Sequence, residues 1–248
     1  MNAIIKQALT VLALCMATIS AQAVSIDDGY NGAGLSYNGD VLGNPDVYQI
    51  THMEVTYDSA NLYVSVFTNF FEGADSLDYK YGDLFISTNG WRPHGTAANR
   101  YGADDVSNGE HWEYALDTDT SDLYSISEVD YMDQLVLSGP GTNFRHNQEV
   151  SVNTSKATMV AGETSNADLS GVSSTVGAPG VISYTLTLAD LGIMDLSVST
   201  ALGLRWTTTC ANDVIEGGVS VPEPGVFAIF MLGFLSLALS RRQTTRVR

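Results

Sequence analysis

The chain has 248 residues, 44% of them hydrophobic and 9% aromatic, which is enough for a packed core and excludes wholesale disorder. Lys and Arg number 11 against 28 Asp and Glu, and Lys6, Arg241, Arg242, Arg246 and Arg248 all lie in the terminal segments. Residues 24–221 thus carry 27 acids and six bases, a net charge of −21, which argues against nucleic acid as a partner and favours divalent cations.

At the start, Lys6, the apolar run 8–19 and then Ala21, Gln22 and Ala23 have the charged, apolar and small-residue zones of a secretory signal peptide. The spacing predicts a signal peptide over 1–23 with cleavage after Ala23. Cys15 leaves with it and Cys210 stays alone, so the exported domain has no intramolecular disulfide and must rest on its core. A buried structural thiol is the expected role of Cys210.

Residues 27–45, rich in Gly, Asn and Asp, read as a long loop or irregular edge. Then Met53, Val55 and Tyr57 alternate with polar residues, as do Leu62, Val64 and Val66 beyond a polar turn, the pattern of a β-hairpin. Period-two stretches recur at 83–87, 112–116, 123–126, 135–137, 182–188 and 202–206. The segment 151–177, with no aromatic residue, reads as a flexible loop or weak edge strand. The one helical hint is a turn at Ala189, Asp190 and Leu191. Short strands, 23 glycines and no long amphipathic helix predict an all-β antiparallel sandwich over 24–220, of jelly-roll or DOMON-like type.

Catalytic motifs are missing. No Gly-x-Ser-x-Gly elbow, His-Glu-x-x-His helix, phosphate-binding loop with Lys or Cys-x-x-Cys pair occurs, and His52, His94, His111 and His146 are scattered. His52 and His111 are expected at the surface beside acids. With 27 acids, two carboxylates at glycosidase distance are expected by chance, so the chain is not expected to be an enzyme.

Calcium is the one cofactor the composition suggests. Asp117, Asp119, Ser121, Leu123, Ser125 and Glu128 fall on positions 1, 3, 5, 7, 9 and 12 of an EF-hand-like loop, but Asp122 stands where the turn requires Gly and strands flank it, so an acidic hairpin turn is preferred. Asp27 and Asp28 with Asp40 and Asp46, and Asp104 and Asp105 with Glu110, cluster among glycines and asparagines; Asp27, Asp28, Asp104 and Asp105 are the candidate metal ligands, with a solvated acidic face as the alternative. Trp91 and Tyr101 sit in or beside the polar segment 89–111, where an apolar core is hard to place. They are the candidate platform for a sugar ring, with extracellular polysaccharide as the corresponding partner; the alternative for Trp91 is that it folds back to cap the core. Trp112 and Trp206 alternate with apolar residues and are expected in the core.

The C-terminal end is the most specific part. Pro222, Glu223 and Pro224 precede an apolar run over about 226–240 and then Arg241 and Arg242. As a helix, the 16 residues 225–240 span about 24 Å, short of a hydrocarbon core of about 30 Å, so the segment suits a transient membrane anchor. Arginines beyond it would stay in the cytoplasm, leaving the preceding domain outside. This order over 221–248 resembles the PEP-CTERM sorting signal of Gram-negative bacteria. The resemblance implies recognition by an exosortase, a membrane protease that cuts near the Pro-Glu-Pro site, and release to the cell surface or extracellular matrix.

Two stretches, 81–87 and 205–217, are similar to uncharacterised exosortase-dependent surface proteins. The strand rhythm more distantly resembles DOMON and family-nine carbohydrate-binding modules. Together these imply a non-enzymatic surface or matrix protein, with a calcium-assisted carbohydrate-binding module as the alternative.

Overall fold

A computed structural model describes residues 23–32, 41–74, 78–139, 145–160, 162, 164–193 and 200–221. The signal-peptide residues up to Gln22, including Ala21, and the sorting residues Pro222, Glu223 and Pro224 with the anchor at 226–240 lie outside the described residues, as does Asp40. Among the described residues no helix is long and apolar enough to cross a membrane.

Two antiparallel sheets pack face to face. One contains five strands, β1 (Val24–Asp27), β2 (Ile50–Tyr57), β3 (Asn61–Thr68), β11 (Gly180–Thr187) and β10 (Asn166–Asp168), in that spatial order. The other contains six, in the order β13 (Val214–Val221), β12 (Thr200–Thr207), β4 (Leu84–Ser87), β5 (Tyr114–Leu116), β6 (Leu123–Ser125) and β9 (Thr158–Met159). A separate ribbon joins β7 (Leu135–Leu137) to β8 (Glu149–Val152). The expected sandwich is therefore present.

The β2–β3 hairpin forms because its alternating residues satisfy both environments at once. Met53, Val55, Val64 and Val66 turn inward and are almost fully buried, while the residues between them remain at least partly exposed. Asp58 sets the turn: its Oδ1 accepts from the backbone N–H of Ala60 (2.7 Å) and Asn61 (2.8 Å). From the opposing sheet come Leu84, Ile86, Leu116, Leu123, Leu202, Leu204 and Trp206, all buried. Weak strands β9 and β10, from the segment without aromatics, end each sheet at one edge.

Alternation alone would leave the outer face of the six-stranded sheet in water. Here that face is buried too. A third layer, made of the loop around residues 88–112 and the β7–β8 ribbon, covers Phe85, Trp112, Ala115 and Tyr124. Trp112 and Trp206 are both in the core, as expected, although Trp112 precedes its strand. Cys210 is buried, with Sγ 3.0 Å from Thr208 Oγ1. Among the described residues the one α-helix, α1 (Pro45–Tyr48), falls at the end of the expected loop rather than at Ala189, where a turn is found. Asn44 caps it by accepting from Asp46 N (3.1 Å), with Pro45 opening the first turn.

Gly82 joins the layers. A Cβ there would lie 2.4 Å from Thr207 O and 2.5 Å from Val150 O, and Gly82 N donates to that same Thr207 carbonyl at 3.0 Å. Backbone atoms cannot rotate aside as a side chain does. Gly82→Ala should lower the unfolding free energy by about 1–3 kcal/mol, measured by urea denaturation, as overpacking does. An unchanged midpoint would show that the two carbonyls can part.

Candidate functional site

The outer face of β12 and β13 carries a buried polar cluster. Arg205 and Glu216 are register partners on neighbouring strands and project to the same side. Arg205 Nη1 donates to Glu216 Oε2 at 2.6 Å, Nη2 donates to Gln148 Oε1 at 2.8 Å, and Nε donates to the Glu149 carbonyl at 3.2 Å. Glu149 Oε2 stands 3.6 Å from the same Nε. All four side chains are buried.

Tyr30 closes the cluster. Its hydroxyl donates to Asp104 Oδ2 (3.1 Å), and its ring lies 5.9 Å from the Arg205 guanidinium. Burial pushes the Glu149, Glu216 and Asp104 carboxyls above their ordinary range, and the guanidinium opposes the rise in each. Burial disfavours the charged guanidinium as well, but Glu149 and Glu216 more than compensate, so Arg205 stays protonated. One cation thus serves the two buried carboxyls of Glu149 and Glu216, while Tyr30 holds the third, Asp104.

Above the cluster lies a small groove of about 280 Å³ between β1 and β13, lined by Tyr30, Trp91, Tyr101, Asp27, Glu216 and Gly218 among others. Its shape follows from two glycines. Gly203 and Gly218 are cross-strand partners, and ideal Cβ atoms on them would lie 3.3 Å from Trp91 Cα and 3.0 Å from Trp91 Cβ. Trp91 therefore occupies the space their missing side chains leave. Its Nε1 donates to Glu216 Oε1 at 2.8 Å. Gly90, at φ 87°, supplies the left-handed turn that directs the tryptophan back onto the sheet. Tyr101 follows Arg100 with both residues left-handed (φ 57° and 52°), and its ring packs edge-on to Trp91 (5.1 Å) and stacks on Tyr30 (5.9 Å).

The two expected aromatic residues are thus neighbours. Both are half-buried, so Trp91 is neither a free platform nor a full core residue. Trp91→Ala should cost about 2 kcal/mol, less than the roughly 3–5 kcal/mol of a fully buried tryptophan, as read by thermal or urea melts. A loss below about 0.5 kcal/mol would mean that its bond to Glu216 contributes nothing.

The candidate metal ligands are not brought together. Asp27 is exposed at the groove, and Asp28 Oδ2 accepts from Gln49 Nε2 (3.0 Å). Asp104 is buried against Tyr30, while Asp105 Oδ1 accepts from Ser107 N (2.9 Å) in a local turn. Among the described residues no group of three or more His, Cys, Asp or Glu is placed to hold a metal ion. The EF-hand-like spacing belongs to the β5–β6 hairpin: Asp117 Oδ1 accepts from Asp119 N (2.9 Å) and Thr120 N (3.0 Å), and Ser121 takes a left-handed φ of 65°. Glu110 accepts from Ser87 Oγ (3.1 Å) and from Arg92 N. His52 and His111 sit near Glu54 and Glu128, at 3.8 and 2.9 Å.

Arg205, Glu149, Gln148, Glu216 and Tyr30 escape the sequence reading. The available signal was an arginine at an alternating position in an otherwise apolar strand, which requires buried acids opposite it.

Residues 220–242 match the PEP-CTERM protein-sorting motif. No curated protein and no solved structure matches the chain. The motif joins the end of β13 and bears on the route rather than the chemistry: a PEP-CTERM sorting signal supports sorting by an exosortase and implies export through a membrane-anchored intermediate to the cell surface.

Proposed function

We propose that the mature domain is a non-enzymatic component of the cell surface or extracellular matrix. The observation that carries this reading is how the perturbed acids are used. Asp83 accepts two backbone N–H groups, Glu110 a serine hydroxyl and a backbone N–H, Glu149 and Glu216 flank Arg205, and Asp104 binds Tyr30. Acids committed to internal bonds are positioned to hold a fold. The domain should be recovered in the matrix fraction of producing cells, with Val24 as its first residue and without the segment beyond about Pro224. It should release no reducing ends from the polymer of those cells. Release that disappears with Glu216→Gln would replace this reading with a hydrolase.

A second reading, carbohydrate binding assisted by calcium, is favoured by the groove that joins Trp91, Tyr101 and Tyr30. Asp27, exposed at the groove, offers an acceptor there, which suits hydroxyl or ammonium donors and repels uronates. Retention on neutral polysaccharide, with and without calcium, tests it. Equal retention of the parent and Tyr101→Ala would remove the groove from consideration.

A further inference from the structure

The sorting motif begins within the last strand of the described residues. β13 keeps register with β12 to its last residue, Val221 opposite Thr200, and Pro222 follows with no residue between. The motif match starts at residue 220, so its first two residues are also the last two of a paired strand. Proline has no N–H with which to prolong the ladder.

Just upstream the strand is pinned on both faces. Ile26 Cγ2 stands 2.5 Å from where a Cβ on Gly217 would lie, so β1 holds β13 closely at that point. Trp91 does the same at Gly218 from the outer side. Val219, 2% exposed, sits opposite the fully buried Leu202, and both belong to the main core. Ser220 is exposed. The chain is therefore anchored through Val219, only three residues before Pro222.

A protease acts on locally opened chain, and when opening is fast its rate follows the population of the opened form. We infer that the end of β13 is a brake on sorting: exosortase gains the Pro222, Glu223 and Pro224 segment only as the C-terminal end of the β12–β13 pairing opens. Removal of the anchor is thereby coupled to the stability of the sheet edge. The inference rests on the exosortase reading and adds to it a folded obstacle at the cutting site.

Pulse–chase labelling of the full-length chain in a host that expresses an exosortase tests it. Six Gly and Ser residues inserted between Val221 and Pro222 should speed conversion of precursor to mature form by about tenfold, as opening ceases to limit it. Val219→Ala adds no length but loosens the pin, and should speed conversion by about three- to tenfold. If that variant fails to accumulate, Ile26→Ala releases the strand from its other face and takes its place. An unchanged rate for the insertion overturns the brake while leaving sorting intact. Acceleration by the insertion but not by the pin variants shows that reach limits the rate, and also overturns it. Failure of parent and insertion alike to convert overturns the sorting reading itself.

Discussion

Arg205→Ala should destabilise the domain by about 3–5 kcal/mol, because it leaves Glu149 and Glu216 buried without their cation. Against a typical total of about 5–15 kcal/mol, that is enough to lower the melting temperature by roughly 6–20 °C. Arg205→Lys should recover only part of the loss. An ammonium can meet Glu216, but it has no planar fork with which to reach Gln148 and the Glu149 carbonyl as well. Two orphaned carboxyls can escape by taking up protons, so the deficit of Arg205→Ala should shrink as pH falls. Denaturant midpoints of the three proteins at pH 5 and pH 8 would decide. Parent-like stability of Arg205→Ala at pH 8 would mean that water reaches the carboxyls and the pair is not truly buried.

The same arginine marks where the sequence could be read and where it could not. Strands β2, β3 and β11 were legible because one face meets the core and the other meets water, which writes period two directly into the residues. β12 shows that rhythm as well, yet Gly203, Arg205 and Thr207 face a third layer rather than solvent. That layer comes from loops and a short ribbon, whose burial leaves no period in sequence. β13 was hidden for a related reason. Gly217 and Gly218 weaken any strand signal, and they are needed because Ile26 and Trp91 occupy their side-chain space. In the site, Trp91 and Tyr101 stood out as aromatic residues in polar surroundings. Their partners did not: Tyr30 reaches Asp104 across 74 residues and Trp91 reaches Glu216 across 125, contacts that only the closed sandwich creates.

The parent domain should be less stable at pH 8 than at pH 5, and Asp83 should be one of the causes, beside the raised carboxyls around Arg205. Its two oxygens accept from Thr118 N (3.0 Å) and Val152 N (2.7 Å), tying the β5–β6 hairpin and the β8 ribbon to one point. Burial still dominates over these bonds and pushes the carboxyl up to about 7. A group raised on folding binds its proton more tightly in the native state than in the unfolded chain. Its contribution is therefore fully present below about pH 4 and is lost as pH rises through 7. A shift of about three pH units corresponds to about 4 kcal/mol across that window. Asp58 and Asp168 act in the opposite sense, since backbone N–H bonds hold both below the usual carboxylate range, and their loss occurs only in stronger acid. The net charge of −21 also favours unfolding at higher pH, but through exposed charges that salt screens. Repeating the pH series at about 1 M salt should remove that surface part and leave the Asp83 part, because a buried group is screened little. Asp83→Asn cannot ionise, so its stability should fall less steeply than the parent's from pH 5 to pH 8, leaving the share of the other buried carboxyls. At pH 5 it should fall below the parent by about 1–3 kcal/mol, since its amide NH₂ confronts one of the two backbone donors. If Asp83→Asn keeps the parent's slope in high salt, the pH dependence originates in the Arg205 cluster instead, and Asp83 is charged at neutral pH.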